Sequence, residues 1–150
     1  MLSVDMDPSA SGIQSCRSVS VGDTFDVAVV IEDVANLMGF QFDFLYDPAL
    51  VNVRGGDVNL FLASPPGASI LDLSDPLPDS DGLHVVGAMN VGPPPDANGS
   101  GVLARLTLSP VGAGAESLAL NRVWLGDTWG DPMNMRWWTN GLVAVDQPCP

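Results

Sequence analysis

Few residues of the types that most often perform chemistry occur in this chain of 150 residues. It has a single histidine, His84, no lysine, and two cysteines, Cys16 and Cys149, near opposite ends. Catalysis by an activated serine, cysteine or lysine needs a nucleophile held beside a base, and this composition excludes most such arrangements. Paired carboxylates remain available, because sixteen of the eighteen acidic residues are Asp. Most of these fall in turn sequences, where Asp bonds to the backbone, so we expect a protein that is not an enzyme.

A metal site is the next chemistry that these residues could support. The two cysteines and His84 are too few for a four-ligand zinc site. The turn GDTWGDPMN places three oxygen ligands, Asp127, Asp131 and Asn134, close together, and such a cluster could hold calcium. Its spacing differs from that of an EF-hand loop, and acidic turns without metal are common. We therefore expect no cofactor, with calcium at this turn as the alternative.

The two cysteines have two interpretations. A disulfide between Cys16 and Cys149 would tie the ends of the chain together and close a loop of more than a hundred residues. In the chain-entropy description such a bond stabilises a fold by roughly 4–5 kcal/mol. The alternative is a pair of unpaired thiols, and the disulfide is expected if the protein is exported.

The net charge narrows the classes of partner. The chain carries a formal charge of −13, and all five of its basic residues are Arg. Nucleic-acid binding needs clustered basic residues, so nucleic acid is not an expected partner, and the charge also disfavours an anionic membrane surface. No apolar run approaches the roughly 18 residues of a membrane span. The N-terminal sequence lacks a basic segment and an apolar signal core, so we expect a module of a longer exported protein, with a cytoplasmic protein as the alternative.

Four tryptophans lie close together in the C-terminal part of the chain, at Trp124, Trp129, Trp137 and Trp138. An exposed, coplanar row of indole rings would suit stacking on sugars, which makes carbohydrate a possible ligand class. Packing is the favoured interpretation, because adjacent residues of a strand face opposite sides. One of Trp137 and Trp138 would then belong to the core.

The elements that must position these residues are strands. In GFQFDFLYDP, three phenylalanines alternate with Gln41, Asp43 and Leu45, and the segments 24–32 and 102–111 show the same period of two. About nine strands are expected, with no convincing helix and with a Pro- and Asp-rich loop over 55–82. The pattern predicts one all-β domain over residues 1–150, an antiparallel sandwich or jelly roll. With the phenylalanine rings buried, Gln41, Asp43 and Leu45 project outward.

The order of segments resembles cohesin domains, the modules of bacterial scaffoldins and related surface proteins that hold dockerin modules. The resemblance rests on VGD at 21–23, on GF through YDP at 39–48 and on GVLA at 101–104. It implies a nine-stranded jelly-roll sandwich in which the third, fifth, sixth and eighth strands form a flat partner-binding sheet. The residues that we assign to that face are Gln41, Asp43, Leu45, Val86, Ala88, Leu103, Arg105, Asn121 and Trp124, with His84 at the edge.

The resemblance also implies a function. We expect a non-catalytic protein-binding module of an extracellular scaffold or surface protein, with a dockerin-like partner that carries its own calcium. The alternatives are a self-associating structural subunit of a filament or surface layer, which would bind copies of itself, and a carbohydrate-binding module.

Overall fold

The computed structural model describes residues 1–135 and 137–150 and contains strands and one short 3-10 helix, Phe61–Ala63. No helix among these residues has the length and hydropathy of a membrane span. Arg136, in the strand predicted over 135–138, lies outside the described residues. The strands are β1 Leu2–Asp5, β2 Cys16–Val19, β3 Phe25–Leu45, β4 Val51–Asp57, β5 Ile70–Asp72, β6 Leu83–Asn90, β7 Ala97–Pro110, β8 Gly114–Asp127, β9 Trp138–Thr139 and β10 Gly141–Val145.

The long strand β3 takes part in both layers of the fold. The sequence predicts two strands with a connection over 34–38, whereas the structure has one continuous strand with bulges between Ile31 and Leu37. Asp33 and Asn36 adopt left-handed backbone angles there, with φ of 57° and 55°, a conformation that Asp and Asn tolerate better than most residues. The strand therefore bends at this point and passes from one layer to the other.

Each half of β3 anchors one layer. Its N-terminal half pairs with β1 and β7, and β9 and β4 extend that layer. Its C-terminal half pairs with β6 and β8, and β5, β10 and β2 extend the second layer. Most pairs are antiparallel. The predicted all-β sandwich with jelly-roll topology is confirmed. The described residues form ten strands rather than nine, because β2 and β5 were not predicted as strands and two predicted strands are one in β3.

The interior is built on the alternation that the sequence shows in β3. Phe40, Phe42 and Phe44 are at most 1% exposed, and the rings of Phe40 and Phe42 stack with centroids 5.9 Å apart. Full burial of one such side chain contributes roughly 1.5–3 kcal/mol. The prediction that these rings point into the sandwich is confirmed, and it fixes which side of β3 faces outward.

The predicted disulfide is present between Cys16 and Cys149, whose Cα atoms lie 6.2 Å apart. Cys16 begins β2, which pairs in parallel with β10. The Ser18 hydroxyl donates to the carbonyl oxygen of Gln147 at 2.6 Å, beside the disulfide. The C-terminal tail is thus held to β2 by a covalent bond and by a hydrogen bond.

Candidate docking surface

The outward side of the second layer is a sheet face formed by β8, β3, β6 and β5. Residues directly opposite each other in a ladder share a face, so the register identifies its members. We call this surface the docking face. Its members are Gly39, Gln41, Asp43 and Leu45 of β3, Leu83, Val85, Gly87 and Met89 of β6, Ala119, Asn121, Trp124 and Gly126 of β8, Leu71 of β5, and Leu73 just beyond it.

The centre of the docking face is flat because three of its positions lack side chains. Gly39 lies between Met89 and Gly126 in the sheet. A Cβ added to Gly126 would collide with the indole of Trp124, so the ring of Trp124 lies over that glycine. A Cβ on Gly39 would come within 3.0 Å of the carbonyl oxygen of Ala88. All three glycines are buried, so a partner would contact the neighbouring side chains, Trp124 among them, rather than the glycine backbone.

Apolar side chains border this flat centre. Leu71 and Leu73 are 47% and 50% exposed, and Trp124 is 37% exposed. Val85 and Met89, on the neighbouring strand β6, are partly buried. Exposed apolar groups that are contiguous on a surface mark interaction sites more often than isolated ones do, which makes this face the candidate functional surface.

Asp43 lies on the outward side as predicted, but it is buried rather than exposed. The Nε of Arg122 donates to its Oδ2 at 2.5 Å, and the Arg122 side chain, 71% exposed, covers it. The hydrogen bond and the negative charge of Asp43 raise the pKa of Arg122 above its ordinary value. This corrects the expectation that Asp43 is presented to a partner, because the exposed group at this position is the guanidinium of Arg122.

Arg122 was not among the predicted site residues. A bulge in β8 brings its side chain to Asp43. Between Gln41 and Asp43 the partner strand β8 advances from Trp124 to Asn121 and so carries an extra residue. Arg122 has a φ of 47° at this point. The regular alternation of β8 is broken here, and no signal in the sequence marks the break.

Gln41, Leu45, Asn121 and Trp124 lie on the docking face as predicted, with Leu45 partly buried. Val86 and Ala88 do not. They pair with Phe42 and Phe40, are 1% exposed, and face the core. The inward side of β6 also carries the polar residues His84 and Asn90, whereas its outward side has no polar side chain, so the hydrophobic pattern indicates the wrong side. His84, expected at the edge, pairs with Phe44 and is also buried.

Leu103 and Arg105 are also corrected, because β7 belongs to the other layer. Arg105 pairs with Ala28 and Asp57, away from the docking face, and Leu103 is fully buried at a bulge. The error has one source. The short strand β5 was read as loop, so β6 and β7 were taken as the fifth and sixth strands, whereas the residues of β8 were assigned correctly.

The turn with the calcium candidates is closed by its own hydrogen bonds. Oδ1 of Asp127 accepts from the backbone N–H groups of Trp129 and Asp131, each at 2.9 Å. This is the bonding expected of Asp in a turn. Calcium binding by Asp127, Asp131 and Asn134 stays a prediction.

The tryptophans do not form one row on the docking face. Trp138 donates from its Nε1 to the carbonyl oxygen of Leu120 at 2.9 Å and packs against the core. Its neighbour Trp137 is exposed, as is Trp129 in the turn. Adjacent Trp137 and Trp138 thus differ in burial, as the packing interpretation predicts, and Trp124 is the member that lies on the docking face.

Comparison with known proteins supports the family that the segments resemble. The family description "Cohesin domain" matches residues 11–140. No curated protein sequence matches the chain. Among solved structures, a non-cellulosomal cohesin from the archaeon Archaeoglobus fulgidus superposes with a TM-score of 0.69 at 15% identity, covering 97% of this chain and 90% of that one.

Two further structures similar to this chain are cohesins solved with dockerins. The sixth cohesin of scaffoldin B from Acetivibrio cellulolyticus, in complex with a Cel5 dockerin, has a TM-score of 0.67 at 18% identity and covers 97% of both chains. The Coh-OlpC–Doc435 complex of Clostridium thermocellum has a TM-score of 0.67 at 15% identity, covering 97% of this chain and 93% of that one. Because the family match spans most of the sequence, the chain belongs to the cohesin domain family.

Proposed function

We propose that this cohesin domain is a non-catalytic protein-binding module whose docking face binds a dockerin-like module of another protein. The observation that carries the proposal is a sheet face on which the apolar side chains of Leu71, Leu73 and Trp124 are exposed. Support also comes from the similar structures that contain a cohesin together with a dockerin.

The composition of the docking face suits a protein partner. Protein interfaces combine an apolar centre with a polar rim, and their strongest contributions come from Trp, Tyr and Arg. Trp124 and Arg122 supply two of these types, and Gln41 and Asn121 supply hydrogen-bonding groups between them. A partner helix laid across this face would contact the Trp124 ring, the Gln41 side chain and the flanking apolar groups together.

Titration calorimetry with a calcium-loaded dockerin encoded in the same genome tests the proposal. We expect a saturable complex of one dockerin per cohesin. Leu73→Asp should weaken it by at least roughly 30-fold, because a new carboxylate would be buried without a partner at the interface.

Val111→Asp is the matched control for that substitution. Val111 is 45% exposed, close to the exposure of Leu73, and lies in the turn after β7, away from the docking face. It should leave the affinity within about twofold, since surface substitutions remote from an interface change little. Equal losses for both variants, or no binding by any dockerin of that genome, would contradict the proposal.

We place this activity outside the cell, in a scaffold or surface protein. The disulfide between Cys16 and Cys149 supports that setting, because such bonds persist in oxidising compartments. Mass spectrometry of the native protein from cell fractions tests it. Recovery of the protein from the cytosol with free thiols would contradict it.

Self-association is the second candidate, and one observation favours it. β5 lies at the edge of its sheet and carries the exposed Leu71, followed by the exposed Leu73. An exposed apolar edge strand can pair with a second copy of the chain. Light scattering after size exclusion distinguishes the cases, since a monomer at the highest attainable concentration rules out a structural subunit.

A further inference from the structure

We propose that His84, Asp75 and Asp79 form a binding site for a divalent first-row transition metal ion such as zinc. One ligand atom of each residue, the imidazole nitrogen and two carboxylate oxygens, lies within 4.8 Å of the others. The three residues come from β6 and from the segment that joins β5 to β6. The site is separate from the docking face, because His84 points to the inward side of β6.

The burial of His84 supports this metal site independently of the closeness of the three side chains. His84 is 1% exposed, and its Nδ1 is buried without a hydrogen-bond partner among the described residues. Buried polar atoms are nearly always satisfied, so an unpartnered nitrogen needs an explanation. It faces Oδ2 of Asp79 at 3.6 Å, which is too far for a hydrogen bond.

That separation suits two ligands of a shared ion. With metal–ligand distances of about 2.0–2.1 Å, two ligand atoms of a tetrahedral zinc are about 3.3–3.4 Å apart. A shift of a few tenths of an ångström would bring Nδ1 of His84 and Oδ2 of Asp79 to that distance. The gap between the two atoms is therefore close to the size that an ion requires.

The carboxylates are held in place by bonds that leave oxygens directed at the site. The Val85 N–H donates to Oδ2 of Asp75 at 3.0 Å, and the Asp75 N–H donates to the Val85 carbonyl oxygen at 2.9 Å. Asp79 exchanges two backbone hydrogen bonds with Val53, at 2.9 and 3.0 Å. Partners of this kind orient metal ligands in proteins and tune the affinity.

Tyr46 fixes the Asp79 carboxylate from the other side. Its hydroxyl donates to Oδ1 of Asp79, which leaves Oδ2 toward His84. The arrangement matches a ligating carboxylate whose second oxygen is hydrogen-bonded.

A small cavity gives an ion and a water molecule access to the site. Its volume is about 200 Å³, and Ser74, Asp75, Leu77 and His84 are among the residues that line it. Three protein ligands and one water complete the four positions that zinc prefers. The imidazole nitrogen favours a transition ion over calcium or magnesium, which take oxygen ligands.

Metal content after equilibrium dialysis tests the proposal. The whole chain, freed of metal with a chelator, is dialysed against micromolar zinc chloride, and bound zinc is measured by mass spectrometry. We expect about one zinc per chain and a rise in Tm, because a ligand that binds the folded state stabilises it. Calcium chloride at the same concentration should leave Tm unchanged.

His84→Gln and Asp75→Asn should each weaken zinc binding at least about tenfold. Asp75 is partly exposed, so its variant tests the site even if replacing the buried His84 disturbs folding. Asp23→Asn is the matched control, since it removes an exposed acid just before β3, away from both candidate metal sites, and it should bind zinc as the unmodified protein does. No retained zinc, or equal retention by Asp75→Asn and the unmodified chain, would overturn the proposal and leave His84 and Asp79 as an internal pair.

Discussion

Trp124 is the side chain on which partner binding should depend most strongly. Its ring covers Gly126, and the residue lies opposite Gln41 at the centre of the docking face. Tryptophans in this position of an interface are frequent hot spots because they bury a large apolar area with little loss of side-chain freedom. Arg122 beside it presents a guanidinium already hydrogen-bonded to Asp43.

Trp124→Ala should weaken dockerin binding by about 30-fold or more, which corresponds to about 2 kcal/mol. The loss arises because the contact area of the indole disappears from the centre of the interface. Calorimetry measures it. Trp129→Ala is the control, since Trp129 is 75% exposed in a turn outside the docking face. If Trp129→Ala lost as much affinity as Trp124→Ala, Trp124 would not be the anchor.

Single residues also show where sequence reasoning succeeds. Gln41 was placed correctly because the large rings of the phenylalanines decide which side of β3 is inward. Arg122 could not be predicted, since its role depends on a bulge that shifts β8 by a residue. His84 was expected at the edge of the face, whereas it pairs with Phe44 on the inward side of β6 and lies beside Asp79.

At the scale of the element, β3 organises the whole fold. Its N-terminal half pairs with β1 and β7, and its C-terminal half pairs with β6 and β8. Alternating rings on one side and polar groups on the other give this strand a single allowed register, because a shift of one residue would expose every ring. The docking face is therefore a direct consequence of the buried face.

Phe42→Ala should lower the free energy of unfolding by about 3–5 kcal/mol, because it leaves a large cavity in the core. The adjacent Gln41→Ala should change it by less than about 0.5 kcal/mol, since Gln41 is exposed. Urea denaturation measures both. Similar values for the two variants would mean that the alternation does not separate core from surface.

The elements that sequence reasoning missed are those without a strong pattern. β5 has three residues inside a Pro- and Asp-rich stretch, too few to show a period. The inward side of β6 includes the buried polar residues His84 and Asn90, so Val86 and Ala88 were assigned to the wrong side. β7 contains a bulge that turns Leu103 inward. Strong alternation predicts which side of a strand is buried. Bulges, short edge strands and buried polar residues obscure that pattern.

For the whole molecule, the disulfide is the principal long-range constraint. It joins residues 133 positions apart in sequence and holds the C-terminal tail against β2. The bond restricts the unfolded chain far more than the folded one, whose strands β2 and β10 are already paired. Its effect on stability should therefore be large and its effect on the docking face small.

Replacing both Cys16 and Cys149 with Ser should lower the free energy of unfolding by roughly 5 kcal/mol, as expected for a loop of this length. Urea denaturation under non-reducing conditions measures the loss. Dockerin affinity, measured where the variant is still folded, should stay within about twofold. An unchanged stability would show that the bond adds no constraint of consequence.

Chemical-shift mapping of the complex tests the docking face most directly. Amide signals of the isotopically labelled protein are followed while an unlabelled, calcium-loaded dockerin is added. We expect the largest changes at the exposed positions of β8, β3, β6 and β5, around Gln41, Leu73 and Trp124, and little change around Arg105 in β7. The largest changes around Arg105, in the opposite layer, would contradict the docking surface assigned to this protein.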